Sequence, residues 1–347
     1  MITWKRIGLD NLTFPDVPEY SKDFIDGEVN HPKEIKLYKT KEVFNDYEYH
    51  GLGKEFIEYI NNNYNSGATL ILSRGTKINE PIKIEFTMDD DNPSVVDYNI
   101  IVAEEGSEAT IIFDYKSDHA VSAFHNGLTK VYAKENSIIN IIKIQRLNDS
   151  SMNFDSNVAY VEGRGKVNWI SIELGSSISG ANYTTFLNGE ASEGNLSTIY
   201  LGDGTRRMDL GYTMIHKGPR SISNIDTKGV LMDQARKVFR GNLDFKKGAR
   251  LSKGSEEEYV ILLDPKVKSD SIPGLFCEED DVMGNHAASA GQIDNNKLFY
   301  LMSRGLSERD AKKLIVESSF RPIINNIPSE TLRKEINAEV ERRFLNA

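Results

Sequence analysis

Cys277 is the only cysteine among 347 residues. One thiol cannot build an internal disulfide framework, which agrees with a reducing compartment and limits the metal chemistry a single chain could do. No apolar run reaches the roughly eighteen residues a membrane-spanning helix needs. The opening MITWKR lacks the basic, apolar and small-residue order of a secretory signal. These absences predict a soluble, cytoplasmic protein with no membrane association. Positive charge is also scarce. The formal net charge is −10 and no Lys/Arg run stands out, so nucleic acid is not an expected partner, because tracking phosphates requires a basic surface that displaces counterions.

Common catalytic signatures are missing as well. Neither Gly53-Lys54 nor Gly165-Lys166 has the upstream glycine and following Ser/Thr of a phosphate-binding loop, so ATP hydrolysis by this chain is not expected. Gly202 and Gly204 lack the third glycine and strand-to-helix setting of a dinucleotide site and read as a turn. His-Glu-x-x-His, paired Cys-x-x-Cys and Gly-x-Ser-x-Gly are absent, the stretch 175–180 (GSSISG) being only superficially close to the last. The six histidines, at 31, 50, 119, 125, 216 and 286, show no i, i+4 pair and read mostly as surface or turn residues.

What is present is a repeat. The segments 106–113 (GSEATIIF), 136–143 (NSIINIIK), 165–172 (GKVNWISI) and 194–201 (GNLSTIYL) start roughly 29–30 residues apart, within the range of solenoid periods. Each opens on Gly or Asn, which tolerate the positive φ of a tight turn, and continues in β-branched or aromatic residues. A second strand-like piece precedes the last three, at 130–133, 158–161 and 184–187, and the rhythm continues less regularly through 212–215, 229–231, 238–239, 243–245 and 259–263. A two-strand unit cannot bury its apolar face alone, so stacking into a β-solenoid is favoured over a β-sandwich.

The flanks read as helical. Phe56, Ile57, Ile60 and Tyr64 share a face between 54 and 64, closed by 65–67 (NSG). Ser307 to Asp310 resembles a capping box before a helix with Ala311, Leu314, Ile315 and Ser318 on one face, which Pro322 kinks or ends. After Pro328, Leu332, Ile336, Val340 and Phe344 follow at i+4 steps. From Ser307 onward eight Lys/Arg face seven Asp/Glu, about +1, leaving about −11 for residues 1–306. The terminal stripes are expected to cap the open end of the solenoid, with docking of a partner as the sharper alternative. From the charge shift and the stripes, Phe299, Tyr300, Arg304, Leu314 and Ile315 are the candidate docking residues. The organisation expected is an N-terminal helical or irregular segment (1–65), a β-helix core (66–294) and a C-terminal helical region (295–347).

One stretch is chemically dense. Residues 277–286 (CEEDDVMGNH) hold a thiol, four carboxylates and an imidazole, a donor mixture that suits iron. Four successive acids are more often a solvated edge, and a lone histidine is more often structural.

The same stretch begins a family resemblance. Residues 280–282 (DDV), His286-Ala287, 291–294 (GQID) and 298–305 (LFYLMSRG) resemble the signature of the SufB/SufD family of the SUF iron–sulfur cluster assembly machinery. Upstream, 228–231 (KGVL), 238–241 (VFRG), 262–264 (LLD), and at the entry 68–72 (ATLIL), Gly75 and 80–82 (EPI) resemble its successive rungs, so the similarity runs from about residue 66 to 320.

The resemblance implies a mainly β fold, a right-handed parallel β-helix with N- and C-terminal helical segments. It implies a non-enzymatic scaffold working with the paralogue SufB, through the β-helix, and two copies of the ATPase SufC, through the C-terminal helical region. It leaves self-pairing of the isolated chain open. Val267 stands near the position where SufB-like chains carry their cluster-building cysteine, and Ala287 where they typically have Glu, which favours the SufD branch. Many of that branch have a Cys where this chain has Gly284. His286 is the implied metal-site candidate, assisting iron entry or cluster assembly at the SufB interface, with no cofactor held stably by the isolated chain. Two rivals remain: a SufB-type scaffold using Cys277, and a carbohydrate-active β-helix such as a pectin lyase.

Overall fold

The computed structural model describes residues 7, 12–24, 35–39 and 49–345; much of the expected N-terminal segment lies outside them. A strand β1 (Ile35–Lys39) and a helix α1 (Lys54–Asn63) come first. Seventeen strands follow: β2 (Ala68–Leu72), β3 (Ile82–Met88), β4 (Ser94–Ala103), β5 (Glu108–Ser117), β6 (Phe124–Ala133), β7 (Ile138–Arg146), β8 (Met152–Val161), β9 (Lys166–Glu173), β10 (Ile178–Leu187), β11 (Glu193–Gly202), β12 (Arg207–His216), β13 (Ile222–Leu231), β14 (Arg236–Phe245), β15 (Lys253–Leu262), β16 (Lys268–Ser271), β17 (Gly274–Cys277) and β18 (Met283–Gln292). The chain then forms α2 (Asn295–Ser303), α3 (Glu308–Ile324) and α4 (Glu330–Leu345).

From β2 to β15 the chain alternates between two parallel sheets, even-numbered strands in one and odd-numbered in the other. This is a β-solenoid, and the β-sandwich reading is excluded. Each rung contributes one strand to each sheet, and its backbone groups bond the rungs before and after it. The four repeats read in the sequence fall on β5, β7, β9 and β11, and the shorter preceding pieces are the ends of β6, β8 and β10.

The turns differ from expectation in one respect. One corner of each rung carries a residue of positive φ: Gly106, Asn136, Arg164, Ala191, Arg220 and Leu251. Gly106 and Asn136 are as read, but Arg164 and Ala191 take the place expected of Gly165 and Gly194. The reason is a ladder along this corner. Asn136 N–H donates to Gly163 O at 3.0 Å, Arg164 to Glu190 O at 2.9 Å and Ala191 to Pro219 O at 2.9 Å. Rung-to-rung hydrogen bonds offset the steric cost a side chain meets in this conformation.

The solenoid interior is not uniformly apolar. His125 and His216, read as surface or turn residues, are buried in it. His125 faces Asp97 through Nε2 at 2.7 Å and Asn153 Oδ1 through Nδ1 at 2.6 Å, the arrangement of an imidazolium. Burial pulls its pKa down, but Asp97, together with Asp155 and Asn153, outweighs burial and raises it. Lys143 donates to Asp155 at 2.7 Å and to Asn157 at 2.9 Å. His216, bonded to Ser221 and Ser223 and stacked on Phe245, is pushed down to about 4 by burial. These groups stayed hidden because the sequence shows residue types, while the strand register decides which face they occupy.

Glu173 is a buried acid with a measurable consequence. Burial, aided by Asp155, pushes it up to about 7. The unfolded chain ionises near 4.3, so between about pH 4.5 and 7 it binds fewer protons than the native state, and stability falls as pH rises. Ser171 and Ser179 donate to the two carboxylate oxygens, and glutamine keeps that shape. Glu173→Gln is expected to stabilise the protein by on the order of 2–3 kcal/mol above pH 7.5 and by almost nothing at pH 4.5. Urea unfolding at both pH values checks this; an equal effect at both would refute it.

The helices lie on the solenoid's sides. Leu52, Phe56 and Ile60 pack α1 against Val96, Tyr98, Phe124 and Phe154 of the even-strand sheet. Val316, Phe320, Ile323, Ile324, Leu332, Ile336, Val340 and Phe344 pack α3 and α4 against Ile142, Ile144, Ile172, Ile199, Leu201 and Val230 of the odd-strand sheet. The expectation that the terminal stripes cap the open end is therefore corrected: they cover a lateral face, because the outward side of that sheet carries an isoleucine-rich stripe needing burial. The α4 stripe is as read. On α3 the buried face is Ala311, Val316 and Phe320, leaving Leu314 and Ser318 exposed. Pro322 does not stop the helix where it stands; α3 runs two residues further, to Ile324, since a proline in the last turn sacrifices only one helical bond. Arg343 ties α4 to the turns, donating to Asp149 at 2.6 Å and to Asp203 at 3.3 Å.

Candidate functional site

The last rung is bare. Among the described residues, β18 pairs with β15 on one side only and β16 and β17 pair only with β14, and no residue from 267 to 292 is buried. Leu275, Phe276 and Met283 are 38%, 56% and 59% exposed there. An unpaired strand edge beside exposed apolar side chains is a template for another chain.

Register shows what points into this open end. Ile82, Ile111, Ile141, Trp169, Leu196 and Ile225 stack in one inward-facing file across successive odd strands. The next two members are Glu256 and His286. Six apolar rungs thus give way to a carboxylate and an imidazole at the terminus. Opposite, Cys277 stacks over Phe245 and His216, and Leu275 over Leu243.

The dense stretch 277–286 divides between elements. Cys277 ends β17, the four acids form the corner, and His286 lies on β18. Glu278 accepts from Lys246 at 2.8 Å, Glu279 accepts from Gly248 N–H at 3.0 Å, and Asp281 lies 3.8 Å from Arg250. Glu278, Glu279 and Asp281 are thus engaged by cations and a backbone N–H of the preceding corner. Among the described residues, no three side chains of His, Cys, Asp and Glu converge to hold a metal ion.

One rung below, Lys237 and Glu258 form a buried ion pair at 2.6 Å. Tyr200 also donates to Glu258, at 2.9 Å, and Ser271 closes on it. Glu256 is fully buried, and neither of its carboxylate oxygens has a hydrogen-bond partner. Burial, then Glu258 and Glu257, push it up to about 7. Sequence reading missed Glu256, Glu258 and Lys237. The signal existed: in 256–258 (EEE), alternation on a strand forces one or two of the three acids inward.

The second feature is a groove of 680 Å³ between β15 and helices α2 and α3, lined by Tyr259, Ile261, Tyr300, Leu301, Leu314 and Ile315 among others. Helix α2 has no buried residue, although Phe299, Tyr300 and Met302 are 73%, 57% and 41% exposed. Of the sequence candidates, Tyr300, Leu314 and Ile315 meet in the groove. Arg304 stacks on Tyr300, 5.2 Å from its ring centre, and Phe299 stands outside the groove lining. Ile315 also packs on the core beneath α3 and α4. His286 is not part of this surface.

Fold and site define a parallel β-solenoid with helices on its flanks, an uncapped terminal rung and an apolar helical groove. The chain belongs to the SufB/SufD family: the family model described as "SUF system FeS cluster assembly, SufBD core domain" matches residues 86–319. Among similar proteins, the "Iron-sulfur cluster assembly protein SufD" of Bacillus subtilis is 27% identical over 281 residues, 80% of this chain and 64% of that protein. An "Iron-sulfur cluster assembly SufBD family protein" of Mycobacterium leprae is 29% identical over 79% of this chain and 31% of its own length. A "SufBD family protein" of Staphylococcus epidermidis is 24% identical over 77% and 58%. The chain thus spans less than two thirds of the length of these relatives. Among the described residues no helix is long and apolar enough to cross a membrane.

Proposed function

We propose that this chain is a SufD-type scaffold in iron–sulfur cluster assembly, non-enzymatic and intracellular, with iron and the nascent cluster as cargo. Its uncapped last rung pairs with SufB, and the groove of α2 and α3 receives the ATPase SufC. Residues 295–347 then act as the docking region and 66–294 as the scaffold core. The observation that carries this reading is the terminal file: an imidazole facing the solenoid interior at an open, apolar-rimmed end suits a site completed by a second chain. An interface that opens under ATP control supplies what cargo transfer needs, assembly in a closed site and release from an open one. Val267 and Ala287 favour SufD over SufB.

Co-expression with SufB and SufC, followed by purification through a tag on this chain alone, is expected to recover all three proteins. The chain by itself is expected to turn over no ATP, and Cys277→Ser is expected to leave the cluster yield of the complex unchanged. Failure to recover SufB would reject the pairing, and ATP turnover by the pure chain would reject the non-enzymatic role. A cluster yield that collapses in Cys277→Ser would favour the SufB-type alternative.

A further inference from the structure

We propose that Glu256 is a second donor at the open end, its carboxylate joining the His286 imidazole to hold a divalent cation. The inference rests on the reading of His286 given above and extends it to a residue in another rung.

Geometry carries the argument. Glu256 and His286 are in-register partners on β15 and β18, so both side chains leave the sheet on its inner face. Neighbouring strands lie about 4.8 Å apart, and two donors bound to one ion at about 2.0–2.2 Å sit roughly 3 Å apart, a gap that rotamer changes in a glutamate and a terminal-rung histidine can close. The space for the carboxylate comes from Gly241 on the facing strand, where a Cβ would lie 2.6 Å from Glu256 Cδ. Above Gly241 the last rung passes through Ile272 and Pro273, outside a strand.

Charge points the same way. Lys237, the nearby cation, is matched by Glu258 at 2.6 Å. Lys237 acts on Glu256 only at longer range, leaving that carboxylate fully buried with both oxygens free of hydrogen bonds. A buried carboxylate in this condition is costly unless something positive joins it. One oxygen and one imidazole donor suit a first-row divalent ion such as ferrous iron. Two donors give a weak half-site that leaves the remaining positions for water or a facing chain.

The probe is cobalt(II), titrated anaerobically into the purified full chain at pH 7.5 and followed by calorimetry and visible absorption. Glu256→Gln keeps the shape and is expected to weaken cobalt binding at least tenfold, with a melting temperature equal to or above wild type. His286→Ala is expected to weaken it similarly. Glu257→Gln removes the same charge from the exposed face of the same strand and is expected to bind as wild type. Wild-type affinity in Glu256→Gln alongside loss in His286→Ala would overturn this inference and leave the His286 reading standing. Wild-type affinity in both, or no cobalt binding by the wild-type chain, would overturn the two together.

Discussion

Leu314→Asp is expected to remove SufC from the co-purified complex while leaving the β-rich circular dichroism intact. Leu314 is 36% exposed and lines the groove with Tyr259 and Tyr300, so its replacement costs the native chain on the order of 1–2 kcal/mol of burial. In a docked complex the same side chain would be covered. Losing the burial of its exposed third costs about 0.5–1 kcal/mol, and a buried carboxylate adds several more. At about 1.4 kcal/mol per tenfold, affinity falls by at least a hundredfold. Phe299→Asp, at 73% exposure, is a second variant that cannot disturb the core. Ile315→Asp is a poorer choice because Ile315 packs on the helix–sheet core, so its loss would mix folding with binding. Retention of SufC by both Leu314→Asp and Phe299→Asp would move the docking site elsewhere.

His286→Ala should spare assembly with SufB and SufC and lower the cluster yield of the complex severalfold. The imidazole is exposed on the terminal rung, where few native contacts depend on it, and as a neutral ligand it can meet iron. If His286 instead serves only to hold a hydrogen bond near the solenoid end, alanine would destabilise the chain by roughly 1–3 kcal/mol and leave cluster yield per folded complex normal. Melting temperature, complex recovery and iron content measured on one preparation separate these outcomes.

The two sites differ in how legible they were. Leu314 and Ile315 could be placed on a helix because helical spacing survives in a one-dimensional pattern, whereas Tyr300 lies in a stretch singled out by the resemblance. His286 rested on the resemblance, not on spacing. Its partner Glu256 needed register: thirty positions separate the two in the chain, and only the stacking of β15 against β18 makes them neighbours.

By itself, the sequence determined the solenoid, its period, the strand positions and the α4 stripe, because these depend on local repetition of turn formers and β-branched residues. It also excluded the phosphate-loop and disulfide chemistries, which need specific residues that are absent. The tertiary structure decided what local pattern cannot encode. Registers across rungs placed His125, Lys143, Lys237 and Glu256 inside rather than outside. The outward isoleucines of the odd-strand sheet drew α3 and α4 to the side, leaving the end open. Both outcomes follow from contacts between residues distant in the chain, whose free energy depends on which faces meet and not on the order in which the residues are written.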